Sequence, residues 1–241
     1  MLEQIQNLNE ELRRMTRAVD LPMEVVETIA QSILEAGRAV AGLRIGQKAP
    51  DFALLNQNQN IVHLSERLRQ GPAVICFLRG EWCPYCMLEV RALRAIWPLV
   101  EGRNASLICI HPQKVDVSER FAEGSGMDVC SDHTQEVLSG FQVRYPLSES
   151  LIRAYRSSFG LDLSQLNANG QWNLPVPATF VVDQDGVIKA RQFCPDFRVR
   201  VEPGYILQAL DRLPRASLEF VAPSFLDDID CSTLGAVQEL A

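Results

Sequence analysis

Residues 82–86 read Trp82-Cys83-Pro84-Tyr85-Cys86 and follow the apolar run Ala73-Val74-Ile75-Cys76-Phe77-Leu78. Two cysteines three apart at the start of a helix share its first turn, near enough to close a small disulfide ring. One thiol can attack and the other resolve. The attacking species is the thiolate, and a helix N-terminus lowers a cysteine pKa from about 8.5 to roughly 3.5–7.5. It does so because the unpaired N–H groups and the dipole at that end favour an anion. Pro84 has no N–H to lose, which costs nothing in a first turn. Trp82 can cover one side of the pair. Two other uses compete with redox chemistry: a zinc site and a merely buried pair. Zinc needs two further ligands at matching spacing, but Cys109, Cys130, Cys194 and Cys231 are isolated and His63, His111 and His133 are scattered. The pattern therefore favours redox use with no metal and no organic cofactor. Cys76 and Cys109 fall in apolar strands and read as core. Cys194 and Cys231 read as exposed, with Cys194 a candidate remote resolving thiol.

The pair must be positioned by a strand over 73–78 and a helix over 84–97. Further strands are predicted near 105–110, 127–130, 178–183 and 187–193, and helices near 116–124, 133–141, 149–159 and 203–213. Gly46 to Leu64 suggests a hairpin with a polar turn at Asn56 to Asn60, and Asp183-Gln184-Asp185-Gly186 suggests a second. Strands alternating with helices and closed by a hairpin predict an α/β fold with a central mixed sheet flanked by helices. Ahead of it, Leu2, Ile5, Leu8, Leu12, Met15 and Val19 form one helical stripe. Asp20 and Pro22 read as a cap and an early helical proline. Met23, Val26, Ala30, Ile33, Gly37 and Val40 form a second stripe. The expected organisation is an N-terminal helical extension at 1–44, a main domain at 45–213 and a C-terminal tail at 214–241. The extension either packs on its own domain or makes a homodimer contact.

The composition is ordinary for a globular chain: 241 residues, 47% hydrophobic and 22% charged. Thirty acidic against 23 basic residues give a net charge of −7. That argues against nucleic-acid or anionic-membrane partners, which select basic surfaces. No apolar stretch is long enough to predict a membrane span. The N-terminus lacks a basic region and an apolar core, so no secretory signal is expected. The cytoplasm is then the expected compartment, where a close cysteine pair is more often catalytic or metal-binding than structural.

Three segments resemble the peroxiredoxin-like branch of the alkyl hydroperoxide reductase/thiol-specific antioxidant (AhpC/TSA) proteins. They are Gly46-Gln47-Lys48-Ala49-Pro50-Asp51-Phe52, Phe77 through Cys86, and Leu174-Pro175-Val176-Pro177-Ala178-Thr179-Phe180-Val181-Val182-Asp183. Asp196-Phe197-Arg198-Val199-Arg200 fits as well. The resemblance spans about Gly46 to Leu213. It implies a thioredoxin-like fold and hydroperoxide or disulfide substrates. The peroxiredoxin motif P-x-x-x-T/S-x-x-C, laid with Cys86 as the attacking position, puts its proline on Arg79 and its hydroxyl on Cys83. Glu89 falls where many members carry a glutamate, and the family's active-site arginine falls on Pro177. Arg79 is left as the candidate guanidinium. The replacements resemble thioredoxin: Cys83 takes the place of the outer attacking thiol, and Val176-Pro177 resembles the cis-proline that faces such a pair.

The resemblance implies an enzyme in which Cys83 and Cys86 cycle between dithiol and disulfide, reducing hydroperoxides with a thioredoxin-like reductant. Trp82, Pro84, Tyr85, Arg79, Glu89, Val176 and Pro177 are its expected support. The peroxiredoxin register makes Cys86 the first attacker and the thioredoxin register makes it Cys83. Two alternatives stand beside the peroxidase. One is a thioredoxin-like protein disulfide oxidoreductase. The other is a non-enzymatic redox sensor or interaction module. His111 reads as structural rather than a proton relay, Glu81 as a solvated loop residue, and Tyr155 and Trp172 as candidate groove residues.

Overall fold

The computed structural model describes residues 7–122 and 126–213. The predicted tail 214–241, Cys231, the stripe positions Leu2 and Ile5, and the end of the helix predicted at 116–124 lie outside the described residues.

A seven-stranded mixed sheet runs in the order β2-β1-β5-β4-β3-β8-β9. Its strands are β1 (Ala53–Asn56), β2 (Ile61–His63), β3 (Ala73–Phe77), β4 (Ser106–His111), β5 (Asp128–Ser131), β8 (Ala178–Val182) and β9 (Ile188–Phe193). β3, β4 and β5 are parallel, whereas β8 runs antiparallel to β3 and β9 to β8. Both predicted hairpins form, β1–β2 and β8–β9. All five residues of β3 are buried. A strand covered on both faces reads as an unbroken apolar run, which is why 73–78 was legible without alternation. Ile75 and Phe77 point to one core, where the rings of Phe77, Phe141 and Phe180 meet with centroids 5.0–6.0 Å apart. Val74 and Cys76 point to the other core, shared with α4 (Pro84–Glu101) and α9 (Pro203–Asp211).

The predicted helices are present as α4, α5 (Val115–Ala122), α6 (Glu136–Gly140), α7 (Glu149–Ser158) and α9. α4 continues past 97 through Pro98 to Glu101, forgoing one backbone hydrogen bond at the proline. Three small features were not predicted. They are α3 (Leu64–Gln70), α8 (Leu163–Leu166) and a two-stranded sheet of β6 (Arg144–Pro146) and β7 (Asn173–Pro175). Each is too short to display a hydrophobic period.

The extension forms two helices, α1 (Leu8–Arg17) and α2 (Met23–Ala39). α1 packs on α4 and α2 on α7, so both lie on their own α/β core. Leu8 and Leu12 are buried as predicted, while Val19 is half exposed. Asp20 does not cap α2. Pro22 holds the N-cap position, and its carbonyl accepts from Val25 and Val26 N–H at 2.9 and 3.1 Å. The buried line on α2 is Val25, Ser32 and Ala36, offset from the predicted stripe. Met23 is 70% exposed. The offset arises because α2 has two inward faces: one packs on the core, and Val26, Ile29 and Ala30 line a cavity. Among the described residues no helix is long and apolar enough to cross a membrane.

Candidate active site

β3 hands the chain to α4 through Leu78-Arg79-Gly80-Glu81-Trp82, and Cys83 is the N-cap residue with Pro84 first in the helix. Gly80 has φ +152°, a region that L side chains rarely adopt. A Cβ there would lie 2.4 Å from Trp82 Nε1 and 2.7 Å from Gln113 Oε1. Gln113 Oε1 accepts from Glu81 N–H at 2.7 Å, tying this loop to the end of β4. Gly80→Ala must therefore move the loop that carries the cysteines. A loss of about 1–3 kcal/mol is expected in chemical denaturation. An unchanged midpoint would show that the loop tolerates the methyl.

Cys83 and Cys86 are both free thiols and both buried. Cys86 Sγ accepts from the Arg79 backbone N–H at 3.3 Å and from Arg200 Nη2 at 3.5 Å. Arg79 Nη1 lies 3.8 Å from Cys83 Sγ. Burial alone would push the Cys83 thiol up. The Cys86 thiol, together with the guanidinium groups of Arg79 and Arg200, outweighs it and brings Cys83 down to about 5. Cys86 moves the opposite way, raised by burial and by its neighbour Cys83. Adjacent sulfurs do not both ionise, so the remaining proton stays on the deeper one. Cys83 borders the cavity and Cys86 does not.

Both guanidinium groups are buried. Arg79 lies 3.9 Å over the Phe197 ring and 5.2 Å from the Trp82 ring, and it donates to the Tyr155 hydroxyl. Arg200 pairs through Nε with Glu89 Oε2 and donates to the carbonyls of Phe197 and Val199. Burial raises Glu89 to about 7 despite the opposing pull of Arg200. The site is a buried assembly of two cations, one carboxyl and two thiols, in which proximity to cations makes the outer thiol the anion.

The structure brings most sequence-predicted residues together. Trp82 packs edge-on against Tyr155 at 5.6 Å. Tyr85, between the cysteines, meets Phe197 at 5.4 Å, and its hydroxyl is 3.0 Å from Thr16 Oγ1 of α1. Glu89 is inside the site and Pro84 is exposed at its rim. The Val176–Pro177 pair departs from expectation because the bond is trans. Trans is the usual state of an X–Pro bond, and both residues lead straight into β8, with Val176 N–H bonded to Val143 O at 2.8 Å. They are buried, and Ala178 pairs with Phe77 beside the origin of the cysteine loop. Cys194 also departs: it is buried and disulfide-bonded rather than an exposed thiol. His111 is structural, with Nε2 2.8 Å from Ser118 Oγ and its pKa lowered to about 3 by burial. Trp172 stacks with Arg156 at 4.9 Å and does not line the cavity that Cys83 borders, whereas Tyr155 belongs to the site.

Sequence reasoning missed Arg200 and Asn9. Arg200 stood inside a recognised run, but nothing local singled it out. Asn9 on α1 grips the Arg200 backbone: its Nδ2 donates to Arg200 O at 2.7 Å and its Oδ1 accepts from Arg200 N at 3.0 Å. Glu202 accepts from Leu8 and Asn9 N–H at 3.0 and 2.8 Å, satisfying the start of α1. Above Cys83 a cavity of about 660 Å³ opens between α1, α2, α7 and residues 196–199.

The chain is 22% identical over 148 residues to the thiol-disulfide oxidoreductase ResA of Geobacillus kaustophilus, covering 60% of this chain and 67% of that protein. It is 29% identical over 87 residues to a putative peroxiredoxin, bcp, of Helicobacter pylori, covering 36% of this chain and 57% of that protein. The peroxidoxin BcpB of Mycobacterium tuberculosis shares the fold, with a TM-score of 0.56, 22% identity, and coverage of 72% of this chain and 99% of that one. A yeast mitochondrial 1-Cys peroxiredoxin shares it with a TM-score of 0.52, 19% identity, and coverage of 70% and 76%. Residues 45–191, well over half the chain, match the AhpC/TSA family. The protein therefore belongs to the AhpC/TSA family, with a thioredoxin-like peroxiredoxin fold, and is a thiol-dependent oxidoreductase of the peroxiredoxin-like kind.

Proposed function

We propose that the protein reduces hydroperoxides through a Cys83/Cys86 dithiol–disulfide cycle in which Cys83 attacks. One observation carries this reading: the two thiols are unequal, and the one held as thiolate borders the cavity. The Cys83 thiolate attacks the outer peroxide oxygen. The S–O bond forms, the O–O bond breaks, and the leaving alkoxide takes a proton to become an alcohol. The resulting Cys83 sulfenic acid then meets the Cys86 thiol. The S–S bond forms, and the hydroxyl leaves with the Cys86 proton as water. A thioredoxin-type dithiol returns the pair to its reduced state by exchange. The cytoplasm, rich in such dithiols, is the compartment that fits this cycle. Residues 45–213 form the redox unit in this reading, with 1–44 as its extension.

Arg79 supports the thiolate by charge. The alkylation rate of Cys83 by iodoacetamide is expected to rise through about pH 5 and level off by neutrality. In Arg79→Gln the inflection is expected to move up by about 1–3 pH units. An unmoved inflection would assign the low pKa elsewhere.

A second reading, a protein disulfide oxidoreductase, draws on the same arrangement, since exchange also starts from an outer thiolate backed by a buried thiol. Rapid turnover of a disulfide-bonded protein with negligible peroxide consumption would select it.

A further inference from the structure

Arg200 stands between β9 and α9, outside any helix or strand, and its side chain is wholly buried. Its guanidinium reaches Cys86 Sγ at 3.5 Å and pairs with Glu89. A cation is effective at a thiolate only within a few ångströms, so the placement of this main-chain segment matters to the sulfurs. Arg200 has no strand partner, and a buried N–H and C=O are costly to leave unpaired.

Asn9 takes the place of the missing strand. A side-chain amide presents one acceptor and one donor group side by side. Asn9 Oδ1 accepts from Arg200 N–H at 3.0 Å, and Asn9 Nδ2 donates to Arg200 O at 2.7 Å. Asn9 is held in turn by Glu202, the N-cap residue of α9. The Glu202 carboxylate accepts from the Leu8 and Asn9 N–H groups at 3.0 and 2.8 Å, and from Asn9 Nδ2 at 2.7 Å. A carboxylate suits the start of α1, where N–H groups lack helical partners and the dipole is positive. The starts of α1 and α9 are thus locked together around Arg200. Asn9, Arg200 and Glu202 all lie outside the residues that match the family, 45–191.

We infer that Asn9 is a positioning residue of the redox site, holding the Arg200 main chain so that its guanidinium stays against Cys86. This rests on the reading of Cys83 and Cys86 as the reacting pair, and it gives the α1 extension a part in the chemistry beyond covering it. The charged and titratable groups that bear on the pair are Arg79 of the loop, Cys86 and Glu89 of α4, Tyr145 of β6, Tyr155 of α7 and Arg200. Asn9 carries no charge, so replacing it changes where these groups sit and not which are present. Arg13 and Arg17 of α1 and the Asp196–Arg198 pair line the cavity that Cys83 borders, so a general shift of α1 is a rival route to the same sulfur.

The test follows alkylation of Cys83 by iodoacetamide against pH in the full reduced chain, with the label assigned by mass spectrometry. In Asn9→Ala the inflection should rise by about 0.5–1 pH unit, so that alkylation well below it slows about three- to tenfold. Asn9→Ser keeps one polar atom and should shift the inflection in the same direction, which answers the question if the alanine variant does not fold. In the Arg200→Met/Glu89→Met background Asn9→Ala should add no shift, because the guanidinium it positions is gone. Thr16→Val frees the other end of α1 from Tyr85 without touching Arg200, and should leave the inflection in place. A folded Asn9 variant with an unmoved inflection makes Asn9 a stability residue only and overturns the inference. An equal shift in the background without Arg200, or in Thr16→Val, also overturns it, by assigning the effect to the placement of α1 as a whole. Peroxide consumption is measured separately. If the unaltered chain consumes none while the expected shifts appear, the peroxidase reading fails and the positioning of Arg200 by Asn9 stands.

Discussion

Cys83→Ser is expected to lower peroxide turnover at least about 10³-fold, the scale on which loss of a nucleophile is felt. Serine keeps the shape but remains protonated, so no amount of charge from Arg79 and Arg200 makes it an effective nucleophile at neutral pH. Cys86→Ser should fail differently. The first step survives, because Cys83 retains its cations, but the sulfenic acid has no neighbour to condense with. One fast turnover followed by arrest is expected, with the sulfenic acid trapped by dimedone and seen by mass spectrometry. The opposite pattern, a burst in Cys83→Ser and none in Cys86→Ser, would make Cys86 the attacker, as the peroxiredoxin register implies. Full multiple turnover in both variants would remove the dithiol cycle altogether.

The second large effect is on stability. Arg200 and Glu89 form an ion pair with side chains almost wholly out of water. Arg200→Met leaves Glu89 buried without its cation, a change that costs about 3–5 kcal/mol. The double variant Arg200→Met/Glu89→Met removes both charges and should recover most of that loss, since an apolar pair of similar volume is often neutral or better. The recovered fold should still lack the Arg200 guanidinium at Cys86, leaving Arg79 as the cation beside the pair, so its Cys83 inflection should stay raised. Recovery of both stability and inflection would make Arg200 a structural residue only.

Glu89 also gives stability a pH slope. Its folded pKa, about 7, lies above the usual 4.5, so folding binds its proton more tightly. That contribution is complete below about pH 4.5 and disappears as pH rises through 7. Cys83 runs the other way, lowered from 9.0 to about 5: its contribution is complete above 9.0 and lost as pH falls through 5. The disulfide form removes the cysteine titration. Denaturation of the oxidised protein should therefore show stability falling between about pH 4.5 and 7, and Glu89→Gln should flatten that window. An equal slope in the variant would assign the titration to another group.

Much of the scaffold was legible because its signals are local. β3 announced itself as a continuous apolar run, and α4 by a proline in its first turn and two cysteines three apart. The short α3 and the β6–β7 pair were not legible, since three to seven residues display no period. The face of α2 was misread because an apolar residue there has two destinations, the core or the cavity, and both look alike in a sequence.

The amino-acid order by itself determined that a strand–loop–helix unit would carry two thiols at a helix start, and hence that the chemistry would be thiol redox. Which thiol holds the charge was decided only in three dimensions. Arg200 reaches Cys86 across 114 positions of sequence, and Asn9 grips Arg200 across 191. A thiolate's pKa depends on burial and on cations a few ångströms away, and that proximity is a property of packing rather than of local spacing. The same holds for the chamber over Cys83, which exists because α1 folds back onto α4 and α2 onto α7.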